Sequence, residues 1–255
     1  MATPRLMGAE VRRKEDPRLI TGTSSYVGDL ALPGMHHVAF VRSPHAHARI
    51  KKIDASAAVR RPGVFKVVTG HDIRKLCAPL PLAGAGEGGG GDAAASAGRK
   101  HYPLSIDRVR HVGEAVAAVI ARAEGVAVDA ADDVVVDWEP LPAVSDSFAA
   151  MAEGAPRLHE DAPGNIEHQN TIKAGDPDGI FAKAKRVVKQ RMVSQRLCGV
   201  PLEGRATLAA PDPTSGGLVV WATNQAPHGC RCAAEARRGP THERPKHPRV
   251  CRPLP

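Results

Sequence analysis

Four groups of side chains have the residue types that metal binding or catalysis requires. They are two alternate histidines, a His/Cys group near the C-terminus, four carboxylates and one cysteine: His45 and His47; His228, Cys230, Cys232 and Cys251; Asp54, Asp72, Asp107 and Glu114; and Cys198. Alternate strand residues share a face, so the two histidines could bind one metal ion, but no third ligand follows nearby. The C-terminal cysteines lack the C-x₂₋₄-C spacing of zinc sites. We therefore expect no metal site.

The carboxylates and the remaining cysteine also have simpler interpretations than catalysis. Each carboxylate lies at the end of a predicted element, where capping a helix or facing solvent is the ordinary role. Cys198 has no identifiable histidine partner, so we expect it to pack as a small apolar group. The residues alone therefore assign no catalytic side chain.

The net charge of +8 is concentrated in the last 27 residues. From Gly229 to Pro255 there are six Arg, one Lys and two Glu, a net charge of +5, which leaves +3 for the other 228 residues. No aromatic residue lies between these basic residues to stack on bases, so only weak, nonspecific nucleic-acid binding is expected. The start of the chain has no signal-peptide pattern, and no apolar run is long enough to span a membrane, which predicts a soluble, cytoplasmic protein.

Apolar patterning predicts a mixed α/β fold. Residues 1–19 are expected to form an extended arm, and the Gly/Ala-rich residues 83–99 a flexible loop without a phosphate-binding motif. The predicted helices lie within 55–61, before the break at Pro62, within 71–76, and at Ala123–Asp132 and Asp178–Ala184. The predicted strands are 35–43, Ala48–Ile53, Val64–Thr69, Ala115–Ala121, Val134–Trp138, Arg186–Val193, and a hairpin of Ala206–Ala210 with Leu218–Thr223. The strand–helix–strand unit at 115–138 predicts a right-handed crossover.

Eight segments in order resemble one known family. They resemble the large, molybdopterin-binding subunit of the xanthine dehydrogenase, aldehyde oxidase and carbon monoxide dehydrogenase family, over nearly all of residues 8–228. The segments are EDPRLITGTSSYVGD (15–29), LPGMHHVAFVRSPHAHARIKKID (32–54), PGVFKVVTGHDI (62–73), YPLSIDRVRHVGEAVAAVIA (102–121), VDWEPLPAV (136–144), LHEDAPGN (158–165), PLEGRATLA (201–209) and TNQAPH (223–228).

The resemblance implies an α/β (α+β) architecture: an a/b hammerhead domain followed by the start of the first molybdopterin-binding domain. The domain bounds expected from it are an N-terminal arm at 1–19, the hammerhead at 20–145, a partial molybdopterin-binding domain at 146–228, and a basic, disordered tail outside the family at 229–255.

Members of this family hydroxylate aldehydes or N-heterocycles, or oxidise carbon monoxide, with water as the oxygen source. The resemblance implies a molybdenum ion held by a pterin, in its cytosine dinucleotide form. It also implies transfer of electrons to an iron–sulfur small subunit and an FAD-binding medium subunit. One residue carries over: in the family, the Gln of the Q-A-P-H segment hydrogen-bonds to the oxygen ligand of molybdenum, and here that residue is Gln225.

The family pattern stops after His228, where an amphipathic helix, an aliphatic strand and a Gly-rich Phe-Gly loop are expected. The Arg-, Pro-, His- and Cys-rich residues that follow are what GC-rich codons give when they are translated out of frame, which suggests a shifted frame after about residue 228. Because the catalytic Glu and most pterin contacts of the family are missing, we expect an inactive chain without bound cofactor. A non-catalytic module that docks a partner subunit and a basic-tail nucleic-acid binder are the alternatives.

Overall fold

A computed structural model describes residues 10, 12–79, 101–160, 162–166, 171–172, 174–195, 197–214, 217–225 and 249–251. The described residues fall into two compact units. Unit 1 contains those of Met1–Pro33, Val200–Glu235 and Arg244–Pro255, and unit 2 those of Gly34–Gly199. In this division residues 20–33 belong to unit 1, and the expected domain bounds stay a prediction. The loop expected at 83–99 lies outside the described residues.

The chain forms short helices and strands in alternation. The helices are α1 (Asp16–Ile20), α2 (Ser56–Arg60), α3 (Gly70–Leu76), α4 (Glu124–Asp132), α5 (Ser147–Ala150) and α6 (Pro177–Lys183), with 3₁₀ turns at Val27–Asp29 and Pro163–Asn165. The strands are β1 (His37–Arg42), β2 (Ala48–Asp54), β3 (Val64–Thr69), β4 (Arg108–Val109), β5 (Ala115–Ala121), β6 (Val135–Pro140), β7 (Thr207–Asp212), β8 (Gly217–Ala222) and β9 (Arg249–Cys251). Within the described part of the chain, no helix combines the length and hydrophobicity that crossing a bilayer requires.

The described residues of unit 2 form two three-stranded antiparallel sheets, with strand orders β1-β5-β3 and β4-β2-β6. The strands predicted for β1, β2, β3, β5 and β6 are confirmed, as are the helices corresponding to α2, α3, α4 and α6. The predicted parallel crossover is wrong, because β5 and β6 belong to different sheets and pair only with antiparallel neighbours. Apolar periodicity identifies a strand but not its partner, and antiparallel partners that lie elsewhere in the sequence complete these sheets.

The core of unit 2 consists mainly of small aliphatic side chains. Helix α4 covers the first sheet and contributes Ala130 to a cluster with Ala58, Val119 and Val134. A second cluster joins Ala48, Val109 and Val116. A third contains Val68, Leu104 and Ala118. Gly70 begins α3 so close to the carbonyl of Ser105 that any Cβ there would clash, so glycine lets helix and loop pack directly.

Unit 1 is built around the antiparallel hairpin of β7 and β8, in register from Thr207↔Ala222 to Asp212↔Gly217. This confirms the predicted hairpin. The predicted extended arm is wrong at its end: residues 16–20 form helix α1, which has Pro17 in its first turn where the missing N–H costs nothing. Strand β9 pairs in parallel with β8 and so differs from the expected disordered tail, the rest of which lies outside the described residues.

Residues 185–195 form no secondary structure and are exposed throughout. The strand predicted at Arg186–Val193 is therefore wrong. Its β-branched residues suit a strand, but a strand also needs a neighbour to pair with its backbone N–H and C=O groups. No such neighbour is present among the described residues.

Candidate cofactor-binding site

Gln225, the one site residue expected from the resemblance, lies just beyond the end of β8 in unit 1. Its side chain is exposed and makes no hydrogen bond to another described residue. Strand β8 is the central strand of its sheet, between β7 and β9. The side-chain amide is therefore carried at the end of a strand that is held on both sides.

Thr223 fixes the backbone between β8 and Gln225. Its N–H donates to the carbonyl of Ala206 at 3.1 Å, and its Oγ1 accepts from the N–H of Ala206 at 3.4 Å. The same hydroxyl lies 3.0 Å from the carbonyl oxygen of Gly204 and 3.2 Å from Oε1 of Glu203. One proton is available for these two acceptors, so the hydroxyl donates to one of them at a time.

Glu203 connects this strand end to a third element of unit 1. Its Oε1 also accepts the backbone N–H of Val27 at 3.2 Å, in the 3₁₀ turn Val27–Asp29. Val27 is buried, and the turn itself is closed by Asp29, whose Oδ2 accepts the N–H of Tyr26 at 2.8 Å. Sequence reasoning missed Glu203, although it lies within the quoted PLEGRATLA segment.

These residues fit a cofactor that presents an oxygen atom. The Gln225 amide is neutral, carries two N–H donors, and is not engaged by another described residue. Such a donor can hold an oxygen atom without adding charge or competing for the metal.

The two alternate histidines have structural roles in the turn before β2. His47 is 5% exposed, and its Nδ1–H donates to the carbonyl of Pro142 at 2.8 Å. Its Nε2 is buried without a hydrogen-bond partner among the described residues. The ring of His45 packs edge-on against Trp138 at 5.6 Å between centroids. Within the described part of the chain, no three His, Cys, Asp or Glu side chains lie close enough to hold a metal ion.

Two of the four candidate carboxylates cap backbone, as predicted. Asp54 accepts the N–H of Ser56 at 3.0 Å, ahead of α2. Asp72 accepts the N–H and the hydroxyl of Thr69, at 2.9 and 2.8 Å, in a capping box at the start of α3. These bonds stabilise the charged form, and the backbone bond lowers the pKa of each carboxyl below its ordinary value of 3.8.

Glu114 differs from the predicted solvated or capping role, because it is 8% exposed. Its Oε1 accepts the hydroxyl of Ser105 at 2.6 Å and its Oε2 the N–H of Arg110 at 2.5 Å. It lies in the wall of a cavity of about 480 Å³ whose three arginines are matched by three carboxylates. The formal charges of these arginines and carboxylates are therefore balanced, and His101 and His159 also line the cavity.

Cys198 does not pack as expected. It is exposed, and its Sγ lies 3.8 Å from the carbonyl oxygen of Gly199. The prediction failed because burial needs an enclosing neighbour, and the described residues around Cys198 are exposed too. His228, Cys230 and Cys232 lie outside the described residues, as does the side chain of Cys251 in β9.

Comparison with known proteins assigns both halves of the chain. Residues 21–142 match the model of the aldehyde oxidase and xanthine dehydrogenase a/b hammerhead domain, and residues 158–242 match that of the molybdopterin cofactor-binding domain. The chain belongs to the xanthine dehydrogenase and aldehyde oxidase family. The second match runs 14 residues beyond the expected boundary at 228, and the shifted reading frame stays a prediction.

Relatives within the family include subunits of two enzymes with different substrates in their names. The chain is 40% identical over 220 residues to the gamma subunit of the 6-hydroxypseudooxynicotine dehydrogenase complex of Paenarthrobacter nicotinovorans, covering 85% of this chain and 27% of the relative. It is 39% identical over 251 residues to the carbon monoxide dehydrogenase large chain of Afipia carboxidovorans, covering 93% and 30%.

The fold is also similar to solved structures of the family. The reconstituted CO dehydrogenase of Oligotropha carboxidovorans matches with a TM-score of 0.72 and 36% identity, covering 89% of this chain and 28% of that one. The expected α/β hammerhead followed by the start of a molybdopterin-binding domain is therefore confirmed. The chain spans less than a third of the length of these relatives.

Proposed function

We propose that this chain supplies the hammerhead and the first part of the molybdopterin-binding domain of a molybdenum hydroxylase large subunit. The complete enzyme would oxidise carbon monoxide, an aldehyde or an N-heterocycle with water as the oxygen source. The observation that carries the proposal is the exposed amide of Gln225 at the anchored end of β8. When bound, the molybdenum–pterin group supplies the oxidation chemistry. The amide of Gln225 would supply a neutral hydrogen-bond donor that orients the molybdenum–pterin group.

The cofactor is proposed to be the cytosine dinucleotide form of molybdopterin, and the 255 residues by themselves are proposed not to retain it. Support comes from the large apolar side chains between residues 172 and 202, which are exposed where a folded domain would bury them. Among them, Ile172 is 90% exposed, Val188 88% and Met192 85%. Such residues need further polypeptide to cover them, and an enclosed pterin pocket needs the same cover.

The partners are proposed to be an FAD-binding medium subunit and an iron–sulfur small subunit, which take the electrons away, with a small molecule as substrate. The location is proposed to be the cytoplasm. The multi-subunit nature of relatives such as the dehydrogenase complex above supports the first of these proposals.

Metal analysis of the purified chain tests the proposal. The chain is prepared alone and together with the two partner subunits, and molybdenum and pterin are quantified in each preparation. We expect no stoichiometric molybdenum in the chain alone, and capture of both partners by the chain. Stoichiometric molybdenum in the isolated chain would contradict the proposed loss of cofactor. Failure to capture either partner would contradict the proposed assembly.

A non-catalytic docking module is the second candidate, favoured by the outer face of the first sheet. Val38 and Phe40 of β1 point away from α4 and are 51% and 48% exposed. The guanidinium of Arg42 lies 5.5 Å from the centre of the Phe40 ring. If Val38→Ser and Phe40→Ser abolish partner capture while the fold is retained, this face docks the partner; unchanged capture excludes the face.

A further inference from the structure

Glu203 connects three parts of unit 1 that are distant in sequence. Its Oε1 receives a hydrogen bond from the N–H of Val27, 176 residues away in the chain, and lies 3.2 Å from the hydroxyl of Thr223. It belongs to none of the elements that it joins, because it precedes β7 in an irregular segment. A carboxylate oxygen suits this role, since charge-assisted hydrogen bonds are stronger than neutral ones.

Thr223 links the hydrogen bonds of Glu203 to the backbone at Gln225. Only Asn224 separates the two residues, so the backbone direction at Gln225 depends on how Thr223 is held. Besides Glu203, Thr223 has a reciprocal pair of bonds to Ala206 at the start of the hairpin. The strand-end geometry is therefore determined on one side by the hairpin and on the other by Glu203.

We propose that Glu203 is a positioning residue for Gln225, acting through the hydroxyl of Thr223 and the turn at Val27. This inference rests on the proposed function for the role of Gln225, but the link between Glu203 and the strand end stands on its own contacts. Glu203 does not touch the cofactor in this scheme. It limits the range of positions that the Gln225 amide occupies, and a small displacement of a donor weakens a directional hydrogen bond.

The first test uses the 255-residue chain without molybdenum. Amide hydrogen exchange at Val27 and Thr223, and the side-chain amide resonance of Gln225, are recorded for Glu203→Ala and Glu203→Gln. We expect Glu203→Ala to speed exchange at Val27 by about tenfold or more and to shift the Gln225 resonance, because it removes the acceptor that the Val27 N–H has among the described residues. Glu203→Gln keeps an acceptor oxygen and should restore most of the protection.

The matched control is Glu15→Ala, which removes an exposed carboxylate of the same unit. It should leave exchange at Val27 and the Gln225 resonance unchanged. Thr223→Val removes the hydroxyl and should shift the Gln225 resonance as Glu203→Ala does. If Glu203→Ala speeds exchange at Val27 while the Gln225 resonance does not move, Glu203 only stabilises the turn and the proposal is overturned.

The second test uses a complete large subunit, in which the remaining domains follow these residues, assembled with its cofactor and partner subunits, and it separates this proposal from the proposed function. The Mo(V) electron paramagnetic resonance signal and the separate values of kcat and KM are measured for Gln225→Leu and for Glu203→Ala. We expect both variants to alter the signal and to lower kcat more than they raise KM, with rescue by Glu203→Gln. An altered signal for Gln225→Leu alone contradicts the role of Glu203. An unaltered signal for Gln225→Leu contradicts the proposed function, whatever the exchange data show.

Discussion

The hammerhead and the segment that follows it have similar apolar content but bury it very differently. In the hammerhead, strands β1, β3 and β5 and helix α4 cover one another, and Val116 and Val119 are fully buried. Between residues 172 and 202, Val188, Met192 and Leu197 are each at least 85% exposed. The hammerhead therefore supplies its own packing partners, whereas the described residues of the following segment leave these large apolar side chains uncovered.

The largest difference between the two regions is expected when one leucine in each is truncated and the free energy of unfolding is compared. Leu104 is 2% exposed and packs with Val68 and Ala118, so Leu104→Ala should lower the free energy of unfolding by about 2 to 5 kcal/mol. Leu197 is 85% exposed, and Leu197→Ala should change the free energy of unfolding by less than about 0.5 kcal/mol. Chemical denaturation measures both. Equal effects would mean that the two regions do not differ in packing.

Removing the buried carboxylate of the hammerhead should have the next largest effect. Glu114→Ala leaves the Ser105 hydroxyl and the Arg110 N–H without their acceptor, which should cost about 1 to 3 kcal/mol of unfolding free energy. Glu114→Gln keeps one acceptor oxygen and should cost less. Thermal and chemical denaturation report the loss. If Glu114→Ala left the free energy of unfolding unchanged, the hammerhead core would not depend on this polar contact.

The capping box of α3 should give a smaller effect that depends on pH. The folded state lowers the pKa of Asp72, chiefly through the bond from the N–H of Thr69. Its stabilisation is therefore present above the unfolded value of 3.8 and is lost as pH falls through the lower folded value. Asp72→Asn should cost about 1 kcal/mol near neutral pH, and its difference from wild type should shrink below about pH 4.

Exposed Asp107 provides the control for this titration. Asp107→Asn should leave the free energy of unfolding nearly unchanged at both pH values, since the side chain makes no hydrogen bond to another described residue. An Asp72→Asn difference that grows on acidification would show the opposite sign of linkage and contradict the assigned contact.

The smallest effect on stability is expected at Cys198, where the rate of thiol labelling measures the exposure of the segment. The exposed Cys198 thiol should react with a thiol reagent in the native chain faster than the half-buried Cys77 of the hammerhead. Cys198→Ser should abolish that fast labelling and change the free energy of unfolding by less than about 0.5 kcal/mol. Slow labelling of Cys198 would mean that this segment is covered in solution.

The local sequence pattern was sufficient to predict many strands of the hammerhead, but not which strands pair with one another. The uninterrupted apolar run at Ala115–Ala121 predicts β5, and the Pro- and Gly-bounded residues Val64–Thr69 predict β3, because both elements are specified by their own residues. The partners of β5 and β6 lie far away in sequence, so the crossover was wrong. The strand predicted at Arg186–Val193 failed for a related reason, since its residues suit a strand but no described neighbour pairs with it.

The candidate site shows the same division. The role of Gln225 stays a prediction that follows from the family resemblance, since the Q-A-P-H segment that carries it lies in adjacent residues. The contacts of Glu203 could not be predicted, because they are made with Val27 and Thr223, and the first of these is 176 residues away. Long-range hydrogen bonds of this kind leave no periodic signal in the sequence.

Amide hydrogen exchange along the isolated chain tests the contrast between the two regions most directly. The central strand β5 pairs its backbone N–H groups with β1 on one side and β3 on the other, whereas residues 185–195 are exposed and belong to no strand or helix. We predict slow exchange in β5 and exchange near the unfolded rate throughout 185–195. Protection of 185–195 equal to that of β5 in the isolated chain would contradict the account.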